Sequence, residues 1–130
     1  MQSKKILQTA ALLGAAAVAI GAFGAHGLRN VQPALTEYQL GIFEKGVHYQ
    51  FVHTLALLAV GILLQHQPGN RRLIWAGWLF VTGIACFSGS LYLLACRDVL
   101  PFSVMWAGPI TPLGGVCFIA GWLLLFFTRI

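Results

Sequence analysis

Charge is what this sequence has least of. Of its 130 residues, 8 % are charged, against roughly 25 % in an ordinary globular domain. Only three side chains are acidic, Glu37, Glu44 and Asp98. A soluble domain with that little charge would have an apolar surface, so the composition excludes one. Cysteine is scarce too. Cys86, Cys96 and Cys117 form no C-x-x-C pair, and a ten-residue gap places the first two about 280° apart on a helix. No disulfide framework is indicated, and the three read as small apolar filler. Catalytic motifs are missing as well: no nucleophile elbow, no phosphate-cradling glycine loop followed by lysine, no H-E-x-x-H, no paired carboxylates. The chain is read as non-enzymatic and without a cofactor. The net charge of +5 does not signal nucleic acid, because the basic residues form no stripe with interleaved aromatics.

What is present is apolar sequence. Hydrophobic residues make up 58 % of the chain, and four stretches carry no charge at all: 6–28, 46–70, 73–96 and 99–128. About 20 residues rising ~1.5 Å each cross a hydrocarbon core of ~30 Å, so each stretch is long enough to span. The expected architecture is all-α, a single four-span membrane domain over 1–130 with spans at about 6–28, 46–64, 73–96 and 112–128. Lys4-Lys5 before an Ala-rich run also suits a signal peptide. The apolar run, however, continues to Leu28 and is kept as a span. Lys and Arg in short loops set orientation. Lys4, Lys5, Arg71, Arg72 and Arg129 oppose Arg29, Lys45 and Arg97, which places both termini in the cytoplasm.

Local patterns refine the spans. Gly14, Ala17, Gly21 and Gly24 recur at helical steps in the first span, and Gly114, Cys117 and Gly121 do so in the fourth. Small stripes let helices approach closely in lipid, so both are expected at helix contacts. Residues 33–45 read as a short amphipathic helix, lying at the interface or extending span two. Pro33 would sit in its first turn. Gln65 to Asn70 is a turn. The last apolar run is too long for one span, and Thr111-Pro112 reads as its helix start, threonine capping and proline first. Residues 99–110 are then a Pro-bounded loop carrying Trp106.

Four motifs carry a resemblance. Gly21-Ala22-Phe23-Gly24-Ala25-His26-Gly27-Leu28 ends the first span, and Gly46-Val47-His48-Tyr49-Gln50-Phe51-Val52-His53-Thr54-Leu55 opens the second. Phe87-Ser88-Gly89-Ser90-Leu91-Tyr92 lies in the third; Ile110-Thr111-Pro112-Leu113-Gly114-Gly115 begins the fourth, followed by Ala120-Gly121-Trp122. In this order and spacing they resemble the YgdD-like family of small bacterial inner-membrane proteins of unknown function (domain of unknown function 423). The family is itself similar to animal transmembrane protein 256. The resemblance implies a four-span protein of the plasma membrane and supplies no catalytic residue.

Polar groups inside hydrocarbon are costly and are the first place to look for function. Tyr49, Gln50 and His53 share one side of span two, and His26 ends span one on the same membrane side. With Ser88, Ser90 and Tyr92 of span three they form the candidate intramembrane cluster. Its plain reading is an interhelical hydrogen-bond network that sets register, with His26 near His53 and His53 buried and hydrogen-bonded to His26, Gln50, Ser88, Ser90 or Tyr92. Paired histidines can also ligate haem or a metal. Yet His48 and His53 stand about 140° apart on a helix, and no carboxylate falls inside a span to complete a shell. The rival reading is a small proton-coupled transporter using His26 and His53. The expected partners are membrane lipid and a second copy or another membrane protein, with no nucleic acid.

Overall fold

The computed structural model describes residues 2–130. Four helices are long and apolar enough to cross a membrane: α1 (Gln2–Asn30), α2 (Glu37–His66), α3 (Arg71–Ala95) and Met105–Phe126, which is a 3-10 turn at Met105–Ala107 followed by α4 (Ile110–Phe126). No strand occurs among the described residues. The expected four-span, all-α membrane architecture is what the chain adopts.

Short polar sequences decide where the helices begin. Thr36-Glu37-Tyr38-Gln39 starts α2 with a reciprocal cap. Gln39 N donates to Thr36 Oγ1 at 3.1 Å, and Thr36 N donates to Gln39 Oε1 at 2.9 Å, so two otherwise unpaired amides are satisfied. Asn70 caps α3, its Oδ1 accepting from Arg72 N and Leu73 N at 3.0 and 3.4 Å. Gly69, with φ of +80°, makes the preceding turn, a conformation open to glycine at little cost.

Of the two placements expected for residues 33–45 the chain takes the extension of span two: residues 37–45 are the first turns of α2, not a separate interfacial helix, and Pro33 lies outside them in the irregular connection before the cap. The reason is the capping box: Thr36 and Gln39 satisfy a helix end three residues beyond the proline. Thr111 does not cap α4, which starts at Ile110 with Pro109 before it. Its hydroxyl instead lies 2.6 Å from that of Ser90 on α3.

The helices run alternately up and down. The core lies between α2 and α3, where Leu57, Val60 and Leu64 meet Leu73, Ala76, Phe80 and Ile84, with Ala10 of α1 and Phe118 of α4 closing the sides. A smaller cluster of Leu28, Leu40, Phe43 and Ala95 closes the opposite end. α1 packs along α2 and α4 along α3, which leaves the two outer helices largely facing outward. Leu12, Val18, Leu55, Leu113, Val116 and Ile119 are all more than 60 % exposed. An apolar exterior of this kind is a hydrocarbon-facing surface.

Candidate functional site

Gln50 and His53 of α2 face inward where its apolar sequence begins, whereas His48 and Tyr49 beside them are exposed. Gln50 is buried between three helices: its Nε2 donates to the Leu13 carbonyl of α1 at 2.9 Å, and its Oε1 accepts from the Tyr92 hydroxyl of α3 at 2.6 Å. The side chain thus ties α1 to α3 across α2. Gly46, one turn earlier, makes room for this, because a Cβ there would stand 2.7 Å from the Tyr92 ring.

His53 is 5 % exposed and uses both ring nitrogens. Nδ1 lies 2.8 Å from the Tyr49 carbonyl, and Trp122 Nε1 lies 3.1 Å from Nε2. A carbonyl only accepts and an indole N–H only donates, so Nδ1 carries the proton and Nε2 accepts. The ring is neutral in this arrangement. Phe118 stacks on it at 3.5 Å between centroids and 9° between planes, with Tyr49, Phe80 and Trp122 around it at 5.8 to 6.0 Å. Trp122 presents its N–H inward while the residue as a whole is 45 % exposed, the amphipathic use of indole that lipid favours.

A third contact joins α3 to α4. Ser90 Oγ donates to the Phe87 carbonyl at 2.8 Å, which leaves Thr111 Oγ1 to donate to Ser90 across 2.6 Å. Ser90 follows a single π-helical turn, Ile84–Ser88, where α4 comes closest. A Cβ on Gly114 would stand 2.8 Å from Phe87 Cβ and 2.9 Å from the Cys86 carbonyl carbon. Gly121 is similarly tight against the Phe80 ring at 2.7 Å. On α1, Gly24 meets Phe43 and Gly21 meets Val47, whereas a Cβ on Gly14 would make ordinary contact with Thr54 at 3.6 Å. The small stripes therefore do face neighbouring helices, most tightly at Gly24, Gly114 and Gly121.

The seven candidate polar residues do not form one cluster. Gln50 and Tyr92 meet, Tyr49 supplies its carbonyl and ring to His53, and Ser90 lies apart against α4. Ser88 is fully buried, and its hydroxyl has no hydrogen-bond partner among the described residues. His26 is exposed, and its carbonyl receives Asn30 Nδ2 at 3.1 Å. The expected approach of His26 to His53 does not occur, because α1 pairs with α2 in the opposite direction, Gly14 against Thr54, Gly21 against Val47 and Gly24 against Phe43. This leaves His26 about 18 Å along the bundle from His53 at ~1.5 Å per residue. The partner expected for His53 among His26, Gln50, Ser88, Ser90 and Tyr92 is instead Trp122. An indole inside a span was the available signal for it, since its single N–H needs an acceptor. Gln39 was also missed: buried at the start of α2, it donates through Nε2 to Asp98 Oδ2 at 2.6 Å. No group of three His, Cys, Asp or Glu suited to a metal occurs among the described residues.

Comparison with known proteins matches residues 20–115 to a family model described as "Protein of unknown function (DUF423)". The chain is 48 % identical over 109 residues, 84 % of its length and 82 % of the relative's, to the UPF0382 membrane protein SSP2132 of Staphylococcus saprophyticus. It is 42 % identical over 109 residues to the UPF0382 membrane protein YwdK of Bacillus subtilis, again 84 and 82 % of the two chains. To the UPF0382 inner membrane protein YgdD of Escherichia coli it is 41 % identical over 128 residues, 96 % of this chain and 88 % of that one. No solved structure matches.

Proposed function

The chain belongs to the DUF423 family of multi-pass membrane proteins, and from that premise we propose that it is a non-enzymatic structural or accessory bundle. Its buried polar groups set helix register, and its outer surface binds lipid or a membrane partner. The supporting observation is the engagement of His53. Both ring nitrogens are held by the protein's own groups, the Tyr49 carbonyl and the Trp122 indole, which leaves neither free for a ligand or a travelling proton. Three surface cavities, of about 730, 460 and 330 Å³, are lined without His53 or Gln50. The residence proposed is the plasma membrane, as the name of the Escherichia coli relative suggests, with both termini in the cytoplasm. The test is flux. Proteoliposomes holding the full chain under an imposed pH gradient should acidify no faster than empty ones. Proton flux that is lost in His53→Leu with the fold intact would replace this reading with transport.

A further inference from the structure

Two of the surface cavities share a wall at the end of the bundle that gathers the basic residues. One is a recess of about 730 Å³ lined by Gln2, Ser3 and Lys5 of α1, by Gln65 in the last turn of α2 and by Gly69 after it. The other is a groove of about 460 Å³ between α1 and α3, with Ile6, Thr9 and Leu12 on one side and Ile74, Gly77 and Trp78 on the other. Gln2 and Lys5 line both. From Lys5 the groove follows α1 to Leu12 and α3 to Val81, a depth of about 10 Å at ~1.5 Å per residue. It is therefore polar and cationic at its mouth and apolar below, and it opens through Leu12 and Trp78, both well exposed, toward the hydrocarbon.

We propose that this groove holds one acyl chain of an anionic glycerophospholipid, with the lipid phosphate in the recess against Lys5. This rests on the reading that the outer surface binds lipid and names the lipid and its place. Charge complementarity selects the occupant. Lys4, Lys5, Arg71, Arg72 and Arg129 lie at this end, whereas Glu37, Glu44 and Asp98 all lie at the other. A phosphodiester meets cations here with no Asp or Glu side chain to repel it. A second copy packed in parallel across the groove would set the same cations against each other, which opposes that occupant.

The test uses the full chain released from detergent micelles with equimolar phosphatidylglycerol and phosphatidylcholine and weighed by native mass spectrometry. One phosphatidylglycerol per chain should be retained, favoured about fivefold, the usual worth of one lysine at an anionic surface. Lys5→Gln should bring the ratio toward one. Leu12→Trp, or Thr9→Leu as a second groove-filling variant, should lower retention of both lipids while the melting temperature holds. Lys4→Gln, a neighbour that lines neither cavity, should lower the ratio clearly less than Lys5→Gln does. An equal effect from Lys4→Gln would mean a diffuse surface field and overturn the site. Retention indifferent to Lys5→Gln and to the filling variants would overturn the site while leaving lipid binding by the outer surface intact. Lipid-free dimers would put a second copy in the groove. Retention of neither lipid would overturn the site and the lipid-binding reading together.

Discussion

Trp122 on α4 donates its indole N–H to Nε2 of His53 on α2 across 3.1 Å, and His53 is held in the tautomer that accepts it by its own bond to the Tyr49 carbonyl. The contact spans 69 positions in sequence and fastens the last helix to the second. It also explains how an imidazole is tolerated inside a span. Every polar atom of the ring is paired, so the desolvation cost of an isolated polar group, about 2 kcal/mol or more, is avoided.

Trp122→Phe should therefore destabilise the bundle by about 0.6–2 kcal/mol, the range of interhelical hydrogen bonds in membranes. The ring contact with Phe80 at 5.3 Å is largely retained by phenylalanine. Added to His53→Leu, the same change should cost less than it does alone, because the bond is already gone. Unfolding of the four chains in mixed micelles measures the coupling. Strict additivity would show that the bond contributes nothing.

Much of this could be read in the sequence, and the limits follow from physics. Charge-free runs reveal spans because hydrocarbon length and the cost of ionised groups leave little choice. The Gly21–Gly24 and Gly114–Gly121 stripes reveal helix contacts for the same kind of reason: only small residues let backbones approach. Pairings between helices are not encoded this way. Gln50 and Tyr92 were both recognisable as inward polar groups, but the choice of Trp122 over Gln50 for His53 depends on helix rotation. The π-helical turn at Ile84–Ser88 shifts that rotation midway through α3, and sequence spacing assumes an unbroken 3.6-residue period. His26 is absent from the site for a simpler reason, its distance along the bundle, and Ser88 and Ser90, two residues apart, point about 200° from each other on a helix and so fall in different contacts.

Gly114→Ala should be among the most damaging single-methyl additions in the chain. Its Cβ would press on Phe87 and on the Cys86 backbone, and backbone cannot rotate away as a side-chain tip can. The expected loss is about 1–3 kcal/mol, typical of overpacking. Gly14→Ala is the contrast: with its nearest neighbour at 3.6 Å, it should be neutral or gain about 0.5–1 kcal/mol from helix propensity. Equal melting temperatures for the two variants would contradict the close approach of α3 and α4.

The proposed orientation rests on the uneven ends. Five Lys or Arg stand at the end with both termini, against three at the other, where Glu37, Glu44 and Asp98 offset them. Cysteines introduced by Gln2→Cys and Arg129→Cys should resist an impermeant maleimide in intact cells and react after lysis, while Asn30→Cys should label from outside. Labelling of both termini from outside would invert the proposed topology.

The last prediction concerns Gln50, whose amide holds α1 and α3 at once. Gln50→Leu removes the donor to the Leu13 carbonyl and leaves the Tyr92 hydroxyl without the acceptor 2.6 Å away. The Leu13 carbonyl suffers little, since a helical carbonyl keeps its own chain's N–H; the tyrosine is the group left stranded. Leaving one buried partner unsatisfied costs about 1–3 kcal/mol, whereas replacing both with apolar groups of like shape approaches neutrality. Tyr92→Phe alone should strand the amide oxygen instead and cost a similar amount. The double variant Gln50→Leu with Tyr92→Phe should then be more stable than the sum of the two single losses. It should also fold with broader helix register, because apolar contacts in lipid do not select one rotation of α2 over its neighbours as a directed bond does. Cross-linking between cysteines introduced at facing positions of α1 and α2 reads that register: one dominant pair in the parent, several in the double variant. A double variant as unstable as the summed singles would mean that the amide acts through packing and that its two hydrogen bonds are incidental.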